Sequence, residues 1–325
     1  MRHGIGRNSV RRPRHSVVLR WAMGLALSYS PLIPAQSTLH YDASLGADYR
    51  QAHMDWNIAG SLAGTSPNVL SELSWNDLEI AQISGSAQVT VSDRIVVRAS
   101  GAYGSIISGK NQDSDYLGDN RTFKFSQSDN DGSGHITDAS VGLGYRVRLY
   151  DETVGHYAYV TPMAGYSQHR QNLKITNGVQ TVPALGPIPG LDSSYDAEWK
   201  GPWAGLNLWL EVTDRTALNI DFAYHWADYS AEANWNLRDD WAHPVSYRHD
   251  SNGTGVVTGL SLTHNLGKNW DITARLESQH WVADAGLDTT YTVDSSTGAI
   301  QPVTTRLNVV HWKSRAAGIA ATYRF

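Results

Sequence analysis

The segment Asp113-Ser114-Asp115 carries two carboxylates separated by one residue, a pattern that could take part in general acid–base chemistry. In an extended strand, residues i and i+2 project from the same face, so both acids could act on one water molecule. Such a pair can position and polarise the water, and a histidine opposite can take its proton. Two nearby carboxylates also tend to raise the pKa of one of them. In a polar loop the same residues would be ordinary solvated acids, and both interpretations stay open at this point.

Other reactive groups are sparse in the sequence. There is no cysteine, so the chain has no disulfide, no thiol nucleophile and no thiolate metal site. Its 13 histidines are scattered without the spacing of metal ligands, and we expect no metal site. The segment 129–134 resembles the start of a calcium loop, but the twelfth position needs a bidentate glutamate and is Ser140. We therefore predict a solvated turn there.

The first 36 residues have the pattern of a secretory signal peptide. They carry six arginines and no acid, followed by a short apolar run at 21–27 and a small residue, Ala35, near the end. The apolar run is shorter than the roughly 20 residues that a spanning helix needs. We predict that residues 1–36 are a signal peptide and that residues 37–325 form a single domain.

The charge balance after this segment narrows the choice of partners. The whole chain has 26 basic and 31 acidic residues, so removing the six arginines leaves 20 basic residues and a net charge of −11. A strongly acidic domain disfavours nucleic acid as a ligand. The same charge is compatible with a cationic substrate that is attracted to an acidic surface.

Apolar and polar residues alternate along most of the chain. In the last segment Ala317, Ile319, Ala321, Tyr323 and Phe325 fall on one face of a strand. The composition of 12 Trp and 16 Tyr against 4 Phe suits membrane interfaces, where a ring has one apolar and one wet end. Alternation is shared with soluble sandwiches, but the signal peptide and the terminal aromatic residue favour an antiparallel transmembrane β-barrel in a bacterial outer membrane.

The pattern predicts about ten strands, which is an even number as in other bacterial barrels. Several exceed the 9–11 residues needed to cross a bilayer, so the barrel should protrude on the extracellular side. Long polar loops are predicted at 115–134 and 178–195, and tight turns near 92–93, 151–152, 213–214 and 267–269. Charges on the inner face, including an expected Arg275–Glu277 pair, predict a filled lumen and argue against a narrow porin. The predicted strands are 39–57, 68–91, 93–114, 134–150, 155–178, 195–213, 215–236, 245–266, 268–293 and 304–325.

Several segments together resemble the omptins, outer-membrane endopeptidases of Gram-negative bacteria. The resemblance covers the mature chain in strand number and spacing, and at residue level it is strongest over about 70–120. The segments that carry it are Leu73-Ser74-Trp75, 83–87, 101–109, Asp113-Ser114-Asp115-Tyr116, 43–46 and 321–325.

The resemblance implies where a catalytic site would lie. In omptins an Asp-x-Asp pair on the third strand faces an Asp-x-His pair on the seventh, with a nucleophilic water between them. Asp113 and Asp115 match the first pair. The chain has no Asp-x-His, and Asp240 with His243 is the nearest substitute, which a bulge or loop would have to bring onto one face. The other candidate is His225, with Asp228 or Asp221.

The resemblance also implies a function. The leading hypothesis is an omptin-like endopeptidase that cleaves peptides near basic residues through a water held by Asp113 and Asp115. Its expected partners are outer-membrane lipid, lipopolysaccharide and a peptide or protein substrate, with no nucleic acid. It would need no cofactor, although the resemblance makes lipopolysaccharide a candidate requirement. The alternative, motivated by the missing Asp-x-His, is a non-proteolytic barrel of omptin fold that acts as an adhesin or structural protein.

Overall fold

The chain forms one antiparallel sheet that closes on itself. The structure, a computed structural model, describes residues 38–150 and 157–325. The predicted signal peptide and the predicted turn at 151–152 lie outside these residues. The strands are β1 (Leu39–Ile58), β2 (Ser71–Val91), β3 (Ile95–Gly118), β4 (Thr122–Tyr145), β5 (Val147–Tyr150), β6 (Tyr157–Val182), β7 (Gly186–Pro187), β8 (Asp192–Thr213), β9 (Thr216–Asn234), β10 (Tyr247–Gly267), β11 (Trp270–Ala283), β12 (Gly286–Val293) and β13 (Ile300–Arg324).

The sheet closes through the first and last long strands. β1 pairs with β13 from Asp42 opposite Arg324 to Ile58 opposite Leu307. Around the ring the order is β1-β2-β3-β4-β6-β8-β9-β10-β11-β13, while β5 and β12 continue β4 and β11, and β7 is a short addition to β6. In the described residues ten antiparallel strands therefore form the wall, which confirms the predicted barrel. Within the described residues, no helix is long and apolar enough to cross a membrane.

The outer face of the barrel changes character along its height. An apolar belt lies between two rings of aromatic side chains, and Ile319, which is 62% exposed, is one of its members. Above the belt, at the end away from the short turns, the outward positions become polar, as at Glu79, Lys200 and Lys313. An aromatic ring suits the interface on each side of the hydrocarbon, and the charged wall suits water. The ring near the short turns contains Tyr41, Tyr145, Tyr157, Trp270 and Phe325, and the other contains Tyr49, Tyr103, Tyr166 and Trp226.

A charge placed in the belt should destabilise the barrel. We expect Ile319→Arg to lower the free energy of unfolding by about 2–4 kcal/mol, because a guanidinium near the bilayer midplane loses its hydration. Gln51 faces outward above the belt and is exposed, so Gln51→Arg is the matched control and should have little effect. Urea unfolding in phospholipid vesicles measures both. Equal effects of the two substitutions would contradict the assignment of the belt.

One predicted loop is wrong. The segment 115–134 is mostly strand, because β3 continues to Gly118 and β4 begins at Thr122, leaving a tight turn at Asp119–Arg121. The polar composition suggested a loop, but this hairpin extends beyond the packed interior, and its residues 121–125 are exposed to water, so it needs no apolar side there. The second predicted loop is shorter than expected, because β6 runs to Val182 and β8 begins at Asp192.

The lumen is filled by paired side chains near the upper aromatic ring. Arg50, 1% exposed, contacts Asp138 Oδ2 at 2.9 Å through Nη1 and Glu277 Oε1 at 3.0 Å through Nη2. Arg275 contacts both carboxylate oxygens of Asp48 at 2.7 Å. The expected Arg275–Glu277 pair is therefore wrong. Arg275 reaches past Gly318 of β13, which has no side chain in the way, to Asp48 on β1, and Glu277 is bound by Arg50.

Aromatic residues close the barrel above this layer, and a wide cavity remains below it. Trp75, Trp199, Trp281 and Trp312 are each less than 2% exposed. The cavity has a volume of about 880 Å³ and is lined by residues near the short turns, including Arg98 and Asp221, which pair at 3.0 Å. A packed aromatic layer and paired charges do not suit a solute channel.

Candidate functional site

The strand pairing brings Asp113 and Asp115 onto one face. Asp113 lies between Leu73 on β2 and Ser128 on β4, and Asp115 lies between Ser71 and Ser126. Paired residues of neighbouring strands share a face, and Leu73 is 1% exposed in the core. Both carboxylates therefore face the barrel interior, above the membrane belt. Both remain partly exposed, so a ligand could reach them.

This setting raises the pKa of both carboxyls. Desolvation by surrounding atoms is the main cause at Asp113, and the negative charge of Asp115 adds to it, which raises the pKa of Asp113 to about 8. Desolvation also raises the pKa of Asp115, while hydrogen bonding from Ser71 and Ser126 and the cation of Arg238 lower it. Perturbed carboxyls of this kind are common at functional sites. We call these two residues the aspartate pair.

The groups near the aspartate pair come from the segment that joins β9 to β10. The Trp235 side chain and the Arg238 cation both favour the ionised form of Asp113. Ser246 fixes this segment, because its hydroxyl accepts from the Trp235 backbone N–H at 2.9 Å and donates to the Ala242 carbonyl at 3.0 Å. Trp235 and Arg238 were not predicted as site residues, although the positive charge of Arg238, two residues before Asp240, was a usable signal.

The other two predicted site residues have different partners. Asp240 accepts from Arg238 through both carboxylate oxygens, each at 2.8 Å. This bonding lowers the pKa of Asp240. His243 is exposed, and its Nδ1 lies 2.6 Å from Oδ1 of Asn234. The hydrogen bonds of the described residues therefore join neither Asp240 nor His243 to the aspartate pair.

The alternative histidine lies deep in the lumen. His225 is 4% exposed, and its Nδ1 lies 2.9 Å from the Ser167 hydroxyl. Asp228 faces outward and is exposed, whereas Asp221 accepts from Arg98 at 3.0 Å and from Asn207 at 2.9 Å. The candidate pairing of His225 with either acid is not formed, because the imidazole contacts Ser167 on β6, and Asp221 is bound by Arg98 on β3 and Asn207 on β8.

A buried network that the sequence reading missed contains a histidine–aspartate contact. His249 is fully buried, with Nδ1 2.8 Å from the Tyr195 hydroxyl and Nε2 3.2 Å from Asp288 Oδ1. Asp288 also accepts from Thr305 at 2.9 Å. Because no atom of His249 reaches solvent, the imidazole cannot touch a substrate directly. The network packs among aromatic residues, and the ring centroid of Tyr247 lies 5.2 Å from that of His249.

Comparison with known proteins gives a family. The profile described as Pom, Protochlamydia outer membrane protein, matches residues 44–325, which is most of the chain. The chain belongs to the Protochlamydia outer membrane protein family. This family assignment and the barrel fold place it in the bacterial outer membrane. No curated protein matches the sequence.

Solved structures similar to this member of the family are outer-membrane proteins. The outer membrane protease OmpT from Escherichia coli has a TM-score of 0.70 and 15% identity, covering 88% of this chain and 96% of its own. The translocator domain of the autotransporter NalP from Neisseria meningitidis has a TM-score of 0.35 and 10% identity, with coverage of 87% and 88%. At 15% identity the first comparison shows an omptin-like fold only.

Proposed function

We propose that this barrel is an endopeptidase of the outer-membrane surface in which the aspartate pair activates the water. The observation that carries the proposal is the placement of two carboxyls with raised pKa on one face above the membrane. Residues two apart on a strand are separated by about 6.6 Å. This is the spacing of their Cα atoms, and side chains on one face can lean toward each other, so carboxyl oxygens about 5.6 Å apart or less could both hydrogen-bond one water. The acidic surface favours peptides with basic side chains.

The chemistry requires one proton on the pair. At neutral pH Asp113 would be protonated and Asp115 ionised. Asp115 takes a proton from the water as its oxygen attacks the peptide carbonyl carbon, while Asp113 gives its proton to the carbonyl oxygen. The resulting diol returns a proton to Asp113, and Asp115 protonates the amine as the C–N bond breaks. The pair again holds one proton, so the cycle needs no histidine.

Arg238 should set the pH range of this activity. Its cation favours the ionised form of both carboxyls. We expect kcat/KM to rise with pH as Asp115 ionises and to fall as Asp113 loses its proton near its pKa of about 8. Arg238→Ala should move both limbs to higher pH, because removal of a neighbouring cation raises carboxyl pKa values. Lys313→Ala, on the outer wall, is the control. An unchanged falling limb in the Arg238 variant would contradict this role.

A second candidate function is binding without cleavage, as an adhesin or structural protein. The observation that favours it is the charged group beside the aspartate pair. That group is the Arg238 cation and not a histidine. Such a site could hold a ligand through its charges without moving a proton. The binding of a basic peptide that stays intact would support this candidate.

The deciding experiment is incubation of the refolded barrel with a fluorogenic dibasic peptide, with and without lipopolysaccharide. Cleavage by the parent and by His243→Ala supports the aspartate pair acting without that histidine. Cleavage by the parent but not by His243→Ala would instead assign the missing base to His243. No cleavage under either condition, with a folded heat-modifiable barrel, would reject the endopeptidase proposal.

A further inference from the structure

A cavity in the lower half of the lumen lies apart from the aspartate site. It has a volume of about 880 Å³, and its lining includes the turn 213–216 between β8 and β9 and Lys268 between β10 and β11. Short turns of bacterial barrels face the periplasm, so the cavity opens on that side. Its volume lies in the range of small-ligand sites, about 300–1,000 Å³. The aromatic layer and the buried ion pairs of Arg50 separate this lower cavity from the aspartate pair.

Two aromatic side chains border the lower cavity on neighbouring strands. Tyr159 on β6 pairs with Trp209 on β8, and their ring centroids lie 5.4 Å apart. The Arg146 guanidinium lies over the Tyr159 ring, 5.3 Å from its centroid. On the other side of Trp209 the next two strands present the shorter side chains of Asn219 and Ser261, so the indole borders the cavity. The lumen of an outer-membrane barrel is normally polar, so an aromatic wall there calls for an explanation.

Polar groups beside this indole are available to a ligand. The hydrogen bonds of the described residues leave the Trp209 indole N–H and the Asn219 amide unpaired, and both residues are half-buried and border the cavity. Glu211, two residues further along β8, accepts from the Tyr157 backbone N–H at 2.9 Å through Oε2, which leaves Oε1 free. The wall therefore offers donors and acceptors next to an aromatic face.

The charges that line the lower cavity argue for a neutral ligand. Three of its arginines form ion pairs, which are Arg98–Asp221 at 3.0 Å, Arg275–Asp48 at 2.7 Å and Arg324–Asp271 at 2.6 Å. The remaining lining charges balance, so a strongly charged ligand would gain little net attraction. These charges are Arg146, Arg215 and Lys268 against Asp42, Glu211 and Asp214.

We propose that the lower cavity binds a neutral oligosaccharide from the periplasm, with one sugar ring against the Trp209 indole and its hydroxyls bonded to Asn219 and Glu211. The C–H groups on the face of a sugar ring carry a slight positive charge, which suits the negative face of an aromatic ring. Each hydroxyl both donates and accepts, as this mixed wall requires. The inference does not depend on the proposed endopeptidase function, because the aromatic layer separates the two sites.

The binding test uses the refolded barrel in a detergent without a sugar headgroup. Isothermal titration measures the affinity for maltotriose, for N-acetylchitotriose and for adenosine monophosphate. Trp209→Leu should weaken trisaccharide binding about tenfold, the scale on which an aromatic contact contributes. Trp270→Leu is the matched control, because this residue lies near the same turns but on the outer face, where it is 49% exposed. Its affinity should equal that of the parent.

Three results would overturn the proposal. They are no binding of either trisaccharide by the parent, unchanged affinity in a folded Trp209→Leu barrel, and tighter binding of adenosine monophosphate than of both sugars. Heat-modifiable migration in gels establishes folding. If Trp209→Leu does not fold, Asn219→Ala and saturation-transfer NMR on the parent decide. Asn219→Ala should weaken binding, and irradiated aromatic protons should transfer saturation to the C–H protons of the bound sugar. Absence of both effects would reject the site.

Discussion

Asp113→Asn should lower kcat/KM for a dibasic peptide by about 10²–10⁴-fold, the usual contribution of a general acid or base. The amide cannot hold the proton that the carboxyl gives to the peptide oxygen. Asp115→Asn should lower kcat/KM by a similar factor, because the attacking water then lacks a general base. The double variant should be little worse than either single one, since the two groups act as a unit. Steady-state kinetics on the refolded barrel measure all three.

Although Asp113→Asn should lower activity, it should raise the stability of the folded barrel at high pH. The pKa of the Asp113 carboxyl is raised in the folded state. The folded protein therefore loses stability as pH rises from the pKa that this carboxyl has in the unfolded chain toward the pKa that it has in the folded one. Asn has no charge to desolvate, so Asp113→Asn should be more resistant to urea than the parent at pH 8, and the advantage should shrink toward pH 4. Glu79→Gln on the outer wall is the control. A less stable Asn variant at pH 8 would show that the carboxylate is structural.

The second large effect is expected at the centre of the lumen. Arg50→Met should lower the free energy of unfolding by about 3–5 kcal/mol, because it leaves Asp138 and Glu277 without their buried cation. Arg50 is 1% exposed and bonds both acids at about 3 Å. Urea unfolding in lipid vesicles, followed by tryptophan fluorescence, measures the loss.

Two further variants give this prediction its control. Arg98 also forms an ion pair, with Asp221, but its side chain is 32% exposed, so Arg98→Met should cost only about 1 kcal/mol or less. Adding Asp138→Asn to Arg50→Met should recover part of the stability, because one stranded charge is removed. Equal losses at Arg50 and Arg98 would mean that the lumen is wetter than its packing indicates.

The ten-strand wall was predictable because its signal is local. Each segment such as 317–325 alternates with period two, and lipid outside a closed sheet requires that alternation in every strand. The tight turns at 92–93 and 213–214 were predictable for the same reason. The strands within 115–134 were not, since the residues near the end of this hairpin, such as 121–125, are exposed and carry no alternating apolar face.

Half of the candidate site follows from sequence spacing. Asp113 and Asp115 share a face because any strand puts residues i and i+2 on the same side. Spacing predicted a raised pKa for one of the two carboxyls. That both pKa values are raised could not be predicted, because they depend on desolvation and on Arg238. Asp240 and His243 were the nearest substitute for the missing Asp-x-His and needed a bulge or loop to share a face, but the structure gives each of them another partner.

The sequence by itself determined the fold class, the outer-membrane location and the position of the aspartate pair, because each depends on neighbours along one strand or on the charge and apolar pattern of a segment. Only the tertiary structure decided which side chains meet. Arg275 contacts Asp48 across 227 positions of sequence, and Arg238, from the segment between β9 and β10, lowers the pKa of both carboxyls of β3. These contacts depend on the register between strands and on the course of the segment from Trp235 to Ser246, which closure of the whole barrel fixes.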